Sequence, residues 1–194
     1  FDGKGTNRLF TLGNQTEPTF DGITFANLKS SGEGCISVAA GGSGDARVNF
    51  TNCTFRKCTG SGGQNPILMV MKGLARLNNV VFDGCRVEDE TWKNGGGRGL
   101  IRLTQNDSRA YLNACTFINN TYGGGGFGLL AHLNGAGGNL CLHNVTFSGN
   151  DAGCSANGVV NGAGGMLIAS STIVASNANP AIRCESDPKS GSRL

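Results

Sequence analysis

The chain has 194 residues and a formal net charge of +3, with 15% charged and 38% hydrophobic residues, so it fits one sizeable domain or two small ones. It contains no run of lysine and arginine and no basic stripe, which argues against a nucleic-acid partner, and no apolar stretch long enough to span a membrane. No signal peptide is recognisable, and the opening at Phe1 without a methionine indicates a processed or excised segment.

A two-part, strand-like unit recurs along the chain. Its first part is a short apolar run, in chain order RLFTL (8–12), CISVA (35–39), ILMVM (67–71), LIRLT (100–104), LLAHL (129–133), GVVNG (158–162) and AIRCE (181–185). Its second part is a longer run, FDGITF (20–25), VNFTNCTF (48–55), ARLNNVVF (75–82), AYLNACTF (110–117), LCLHNVTF (140–147) and MLIASSTI (166–173). Apolar and polar residues alternate near the end of each longer run, as in a β-strand.

The longer runs define two apolar columns that we predict to be interior. The final residues of the runs, which we call the anchors, recur at a spacing of about 30 and are Phe25, Phe55, Phe82, Phe117, Phe147 and Ile173. The residues five positions before the anchors are Phe20, Phe50, Leu77, Leu112, Leu142 and Ile168. Glycine, present 33 times, suits the corners between strands because it tolerates left-handed backbone.

A unit of this length without a helical pattern cannot bury its apolar face alone, whereas stacked copies bury it as one continuous ladder. The sequence therefore predicts an all-β fold, a right-handed parallel β-helix of about six coils with roughly 30 residues per coil. We predict one solenoid domain over residues 1–185 and a polar C-terminal tail over 186–194. A β-sandwich of short antiparallel strands is the rival interpretation, but it does not explain why the columns match in register.

Two short motifs carry a family resemblance. FINN (117–120) and FSGN (147–150) resemble the F-x-x-N motif of polymorphic outer-membrane-protein repeats. In that family a Gly-Gly-Ala-aliphatic motif follows, which GGGGFGLL (123–130) and GGGRGLI (95–101) approximate. The opening FDGKGTNRLF is similar to an early coil of pectate-lyase-like β-helices. The resemblance covers Phe1 to about Ile182 and implies a secreted or cell-surface protein, often an adhesin or a large extracellular structural protein.

Acidic residues decide whether the chain could be a polysaccharide lyase or hydrolase, because such enzymes need clustered carboxylates. The acidic residues do not recur in one outward column. The densest group lies in the longest loop beside a tryptophan, and it supplies our candidate ligand-binding residues Glu88, Asp89, Glu90 and Trp92. A solvated charged loop is the alternative interpretation. We identify no catalytic residue, metal ligand or cofactor.

The two histidines are interpreted as outward ladder residues and not as general bases. His132 aligns with Arg102 of the preceding rung, and His143 shares a column with Thr51, Asn78 and Asn113. Threonines one residue before the anchors form a further outward column, for which ice binding is the alternative to simple strand propensity.

The eight cysteines lack metal-site spacing, and their even number fits an oxidising compartment, although small buried apolar residues are the alternative reading. Cys58 and Cys85 each lie three residues past an anchor on consecutive rungs, about 4.8 Å apart, so we predict that they are disulfide-bonded or in contact. Cys53 and Cys115 are predicted to be buried and not paired with each other. The N-x-S/T glycosylation candidates are Asn14, Asn49, Asn52, Asn106, Asn119 and Asn144.

These features favour an extracellular structural or adhesive β-helix, either a segment of a larger surface protein or a filament subunit. The alternative is a carbohydrate-active enzyme or polysaccharide-binding module, which gains support if three or more acidic side chains converge on one groove. Because we find no capping element at either end, other copies of the chain or neighbouring domains are the expected partners. Glycans are a further partner class.

Overall fold

A computed structural model describes residues 1–5, 9–30, 34–39, 45–61, 66–88, 99–105, 107–122, 131–134, 138–151, 160–163, 166–175 and 182–185. Within these residues the chain forms short β-strands joined by parallel pairings. None of the described residues belongs to a helix that is long and apolar enough to cross a membrane.

The strands form four sheets, numbered in the order in which the chain enters them. The first sheet contains β1 (Phe10–Leu12), β5 (Ile36–Ala39), β9 (Leu68–Met71), β13 (Ile101–Thr104), β17 (Ala131–Asn134), β20 (Val160–Ala163) and β23 (Ile182–Glu185). The second contains β2 (Thr19–Asp21), β6 (Ala46–Thr51), β10 (Gly73–Asn78), β14 (Arg109–Asn113), β18 (Asn139–His143) and β21 (Met166–Ser170). The third contains β3 (Thr24–Ala26), β7 (Thr54–Arg56), β11 (Val81–Asp83), β15 (Thr116–Ile118), β19 (Thr146–Ser148) and β22 (Ile173–Ala175). The fourth contains β4 (Lys29–Ser30), β8 (Thr59–Ser61), β12 (Arg86–Glu88) and β16 (Thr121–Tyr122).

Successive strands step from one sheet to the next, and each strand pairs in parallel with its counterpart one coil away. The fold is therefore a parallel β-solenoid, which confirms the predicted all-β stack of coils about 30 residues apart. The coil count differs slightly from the prediction. Four coils place a strand in all four sheets, and the next two place a described strand in only three of them.

The longer runs are not single strands, because a residue in the left-handed region bends each run between the second and third sheets. These bend residues are Gly22, Asn52, Asn79, Ala114, Asn144 and Ser171, with φ between 48° and 66°. A second set of left-handed residues, Asn27, Lys57, Gly84, Asn119 and Gly149, follows the third sheet. Asparagine thus occupies five of these corner positions and glycine three, because asparagine also tolerates left-handed backbone.

The anchor phenylalanines form the spine of the core. Phe25, Phe55, Phe82, Phe117 and Phe147 pair in register along the third sheet and are at most 3% exposed. Successive rings are stacked, with centroids 4.7–5.2 Å apart. The second predicted column, from Phe20 to Leu142, is likewise in register along the second sheet. The first five members of both predicted columns are therefore confirmed.

The sixth member of each column is wrong by one residue. The register pairs Phe147 with Val174 and Leu142 with Ala169, so Ile173 and Ile168 take the outward positions instead. Their side chains are 60% and 49% exposed, respectively. Because side chains alternate between the two faces of a strand, a one-residue slip transfers every residue to the opposite face.

A further interior column lies three residues past the anchors. Its residue type changes along the solenoid, from leucine through cysteine to asparagine. Its members are Leu28, Cys58, Cys85, Asn120 and Asn150, all at most 2% exposed. Asn120 Nδ2 donates to Phe82 O at 3.0 Å, and Asn150 Nδ2 donates to Phe117 O at 2.9 Å. The asparagines of the F-x-x-N motif are therefore buried and hydrogen-bonded to the backbone of the preceding coil.

Candidate functional site

The most distinctive surface is the outward face of the second sheet. In β6, β10 and β14 the inward residues are small or apolar, whereas the outward residues are mostly polar. The register brings the outward residues into columns along the solenoid. One column is Arg47, Leu74 and Arg109, and the next is Asn49, Arg76 and Tyr111. Sequence-distant residues of three coils therefore meet on one face.

A groove of about 320 Å³ runs over this face, and it is lined by Asp45, Arg47, Gly73, Leu74, Arg76, Asp107, Arg109 and Tyr111. The leucine lies between two arginines of its own column, and its shorter side chain leaves a depression between them. A Cβ added at Gly73 would come within 2.7 Å of Ala46 O, so β10 approaches β6 too closely there for a side chain. We refer to this depression as the Leu74 groove.

Ion pairs fix two of the three arginines. Arg47 lies 3.1 Å from Asp45 and 3.7 Å from Glu17, and Arg76 lies 3.2 Å from the same glutamate. Glu17 thus connects two neighbouring coils. Exposed pairs of this kind stabilise a protein by only about 0–1 kcal/mol each, so their main effect here is to orient the guanidinium groups.

On the β14 side of the groove, Arg109 and Tyr111 form no ion pair of this kind with any residue that the structure describes. None of the ion pairs among the described residues involves Arg109. Tyr111 is 41% exposed, so its ring and hydroxyl are open to a ligand. An exposed aromatic ring beside polar groups can pack against an apolar surface while its hydroxyl forms hydrogen bonds. This side of the groove could therefore contact a ligand directly.

The number of acidic residues in the groove bears on the polysaccharide lyase or hydrolase alternative. Two acidic residues, Asp45 and Asp107, line it, which is fewer than the three that would favour the enzyme alternative. Among the described residues, no group of three or more histidine, cysteine or acidic side chains could hold a metal ion.

The loop that the sequence favoured for ligand binding is described only at its start. Glu88 ends β12 in the fourth sheet, outside the Leu74 groove, and its carboxylate lies 3.4 Å from Arg86 Nε. Asp89, Glu90 and Trp92 lie outside the described residues, so this site stays a prediction. The sequence did not indicate the groove, because its lining residues come from three coils and share no motif.

The structure aligns both histidines as expected. His132 pairs with Arg102, and His143 lies in the column of Asn113 and Ser170. His143 is exposed, with Nδ1 2.8 Å from Ser170 Oγ, as expected of a surface ladder residue. Arg102 alternates with the core residues Ile101 and Leu103 and so lies on the outer face, but it is covered there and only 7% exposed.

The cysteines follow the predicted pattern of burial. Cys58 and Cys85 are free, buried thiols at adjacent positions on consecutive coils, without a sulfur–sulfur bond, so their disulfide stays a prediction. The neighbouring Cys85 thiol lowers the pKa of Cys58, while Cys58 and burial raise the pKa of Cys85. Cys53 and Cys115 are buried and not bonded to each other, as predicted. Burial raises the pKa of Cys115 to about 11.

Most of the sequon asparagines lie on the surface. Asn14, Asn52, Asn119 and Asn144 are exposed, Asn49 is half-buried, and Asn106 lies outside the described residues. Asn52 Nδ2 donates to Asp21 at 3.0 Å, and its Oδ1 accepts from Asn79 at 2.8 Å. A glycan on this nitrogen would disturb an existing ladder contact. Glycosylation itself stays a prediction.

Comparison of the chain with protein-family models and with curated proteins gives no match. The parallel β-solenoid agrees with the fold that the sequence resemblance implies. The family relationship itself stays a hypothesis.

Proposed function

We propose that this chain is an extracellular adhesive β-helix whose Leu74 groove binds a saccharide chain. The observation that carries the proposal is the groove itself, where oriented arginines, acidic residues and an exposed tyrosine from three coils surround one depression. Binding sites of this kind combine an apolar surface with a few precisely placed polar groups. Paired strands would hold the arginines and the tyrosine in position, since Arg47, Arg76, Arg109 and Tyr111 belong to β6, β10 and β14.

The balance of charge favours an uncharged, hydroxyl-rich ligand over a polyanion. Two lining carboxylates, Asp45 and Asp107, and Glu17 just outside the lining offset the three arginines of the groove, so it carries no strong net field. It instead presents both hydrogen-bond donors and acceptors. Hydroxyl groups can donate and accept hydrogen bonds, and therefore complement a mixed surface of this type. Tyr111 would pack against the apolar face of a sugar ring.

The alternative function was a carbohydrate-active enzyme or a polysaccharide-binding module, and the groove supports the binding module more than the enzyme. Only two carboxylates line it, and one of them, Asp45, is already paired with Arg47. Its carboxylate is therefore engaged by a guanidinium instead of being free to face a substrate. Secretion or cell-surface display, attached glycans and assembly into filaments belong to the same proposal.

Binding to immobilised polysaccharides tests this function. We would compare neutral chains such as xylan, dextran and laminarin with acidic chains such as polygalacturonate and heparin. We expect binding to at least one neutral chain, with less than a twofold change in affinity between about 0.05 M and 0.5 M NaCl, because few net charges are screened. Binding restricted to the acidic chains, and lost in high salt, would contradict the assignment of a neutral ligand.

Variants locate the interaction. Arg76→Ala and Tyr111→Ala should each weaken binding about tenfold, because each removes one wall of the groove. Arg86→Ala is a matched control, since Arg86 is also about half-exposed and ion-paired but lies on the fourth sheet. If Arg86→Ala weakens binding as much as Arg76→Ala, or if no polysaccharide binds, the proposal fails.

A further inference from the structure

Cys58 and Cys85 occupy equivalent positions on consecutive coils. The fourth sheet pairs Thr59 with Arg86, so the residues that precede them lie opposite each other. Arg86 N donates to Cys58 O at 2.8 Å, which fixes the two backbones side by side. Both side chains are fully buried. Each thiol donates to a carbonyl of the preceding coil, Cys58 Sγ to Phe25 O at 3.4 Å and Cys85 Sγ to Phe55 O at 3.3 Å. Adjacent rungs are about 4.8 Å apart, within the Cα separation that a disulfide can bridge.

Other contacts in the same interior column already connect one coil to the next. Asn120 Nδ2 donates to Asn150 Oδ1 at 2.9 Å, and Asn120 Oδ1 accepts from Cys85 N at 2.8 Å. Side chains thus join the coils at each of these two interfaces. At the next interface towards the N-terminus, the side chains in the column are the two thiols. A covalent bond there would continue the series of links.

No other pair of described cysteines has this placement. Cys53 and Cys115 occupy one column, but Val80 lies between them on the intervening coil. Cys141 lies on the outward face of β18, in register with Tyr111. The Cys35 thiol is directed at Thr59 O, 3.8 Å away. Cys58 and Cys85 are thus the described pair that occupies equivalent positions on adjacent coils.

We propose that Cys58 and Cys85 are a modification site at which an intramolecular disulfide joins the second and third coils. The oxidant is a low-molecular-weight or protein disulfide. One cysteine, as its thiolate, attacks a sulfur of the oxidant, forming a mixed disulfide and releasing the first thiol. The second cysteine then attacks the sulfur of the first, forming the Cys58–Cys85 bond and releasing the second thiol. The two cysteines lose two protons and two electrons, and the oxidant is reduced to two thiols.

Either thiol can act as the first nucleophile, and burial determines when the reaction occurs. Because both side chains are fully buried in the finished solenoid, the oxidant must reach one of the thiols before the third coil docks on the second. The reaction therefore accompanies folding.

Peptide mapping of the full-length chain tests the proposal. The chain is refolded in a buffer of oxidised and reduced glutathione, its remaining thiols are alkylated, and it is digested with trypsin without reduction. We expect a linked pair of peptides, residues 58–72 joined to residues 77–86, two hydrogen masses lighter than the sum of the free peptides. Separate, alkylated peptides after refolding in excess oxidised glutathione would overturn the proposal, as would a link from Cys58 to any other cysteine.

Thermal unfolding gives an independent readout of the same bond. The oxidised protein should melt roughly 5–10 °C above the reduced protein, because the bond constrains the unfolded chain. Cys58→Ser should abolish this difference, whereas Cys115→Val should retain it, since valine already occupies the equivalent position on neighbouring coils at Val80 and Val145. If Cys58→Ser does not fold, peptide mapping of the wild-type chain still shows whether the Cys58–Cys85 disulfide forms. Equal melting temperatures of the oxidised and reduced wild-type protein would also contradict the proposal.

Discussion

Asn120 and Asn150 lie one coil apart in the interior of the solenoid, and Asn120 Nδ2 donates to Asn150 Oδ1 at 2.9 Å. Asn120 N donates to the same oxygen at 3.0 Å, so one buried side chain serves two donors. A buried polar atom without a hydrogen-bond partner destabilises the folded state. Here the side-chain amides form hydrogen bonds with each other and with the backbone. The Asn120–Asn150 ladder is therefore expected to contribute strongly to coil stacking.

Replacing Asn120 with alanine should lower the free energy of unfolding by about 2–4 kcal/mol. The change leaves Cys85 N without its acceptor and removes the donor to Phe82 O, both in the core. Asn113→Ala is the matched control, because Asn113 donates to Asn78 at 2.7 Å on the exposed face, and it should cost less than about 1 kcal/mol. Chemical denaturation measures both. Equal losses would show that burial of the ladder does not matter.

Ala114 is the one alanine among the left-handed bend residues, with a φ of 53°. Left-handed backbone costs an alanine roughly 1–2 kcal/mol, and glycine largely avoids this cost. Ala114→Gly should therefore raise the free energy of unfolding by about 0.5–1 kcal/mol. The same substitution at Ala110, a buried strand residue, should lower it by at least about 0.5 kcal/mol. A destabilised Ala114→Gly variant would contradict the bend geometry.

The register of the sixth coil can be tested at Ile173. Because this side chain is 60% exposed, Ile173→Thr should change the free energy of unfolding by less than about 0.5 kcal/mol. Phe147→Ala, which opens a cavity in the stacked spine, should cost about 3–5 kcal/mol. A loss above about 2 kcal/mol for Ile173→Thr would restore the isoleucine to the interior column.

Alkaline pH should destabilise the protein through its buried thiols. The pKa of Cys115 is about 11 in the folded chain against 9.0 for the ordinary thiol, so the unfolded chain releases this proton at lower pH. The stabilisation is fully present below pH 9 and is lost as the pH rises towards 11. The expected slope is about 1.4 kcal/mol per pH unit for this thiol.

Denaturation curves at pH 8, 9, 10 and 11 measure this loss. The Cys115→Val variant lacks the titrating group and should show a shallower decline over the same range. An identical pH dependence in the wild type and the variant would exclude Cys115 as a contributor.

The phenylalanine spine could be predicted from the sequence, because strand alternation and a repeated large residue together determine which face is interior. The same reasoning misplaced Ile173, since in the segment SSTIV both Ile173 and Val174 are apolar and only inter-strand register distinguishes them. The burial of Asn120 could not be inferred from composition, because asparagine is usually exposed. Its partners are backbone groups that the fold brings together.

The Leu74 groove could not be predicted from any local motif. Arg47, Leu74 and Arg109 are separated by 27 and 35 positions in the chain, and they become neighbours only through parallel pairing. Loop lengths differ from coil to coil. Aligning the anchor residues therefore predicts the inward columns near the anchors better than the outward columns that line the groove. The outward residues that line the groove also differ in identity from one coil to the next.

The most direct test of the proposed saccharide site is to fill the groove without removing any of its polar groups. Leu74→Arg places a long side chain in the depression, and Val81→Arg places the same side chain on the outward face of the third sheet. The measurement is the affinity of each variant for the neutral polysaccharide that binds the wild-type protein most tightly. We expect at least a tenfold loss of affinity for Leu74→Arg and an unchanged affinity for Val81→Arg. Wild-type affinity in Leu74→Arg would show that the saccharide does not occupy this groove.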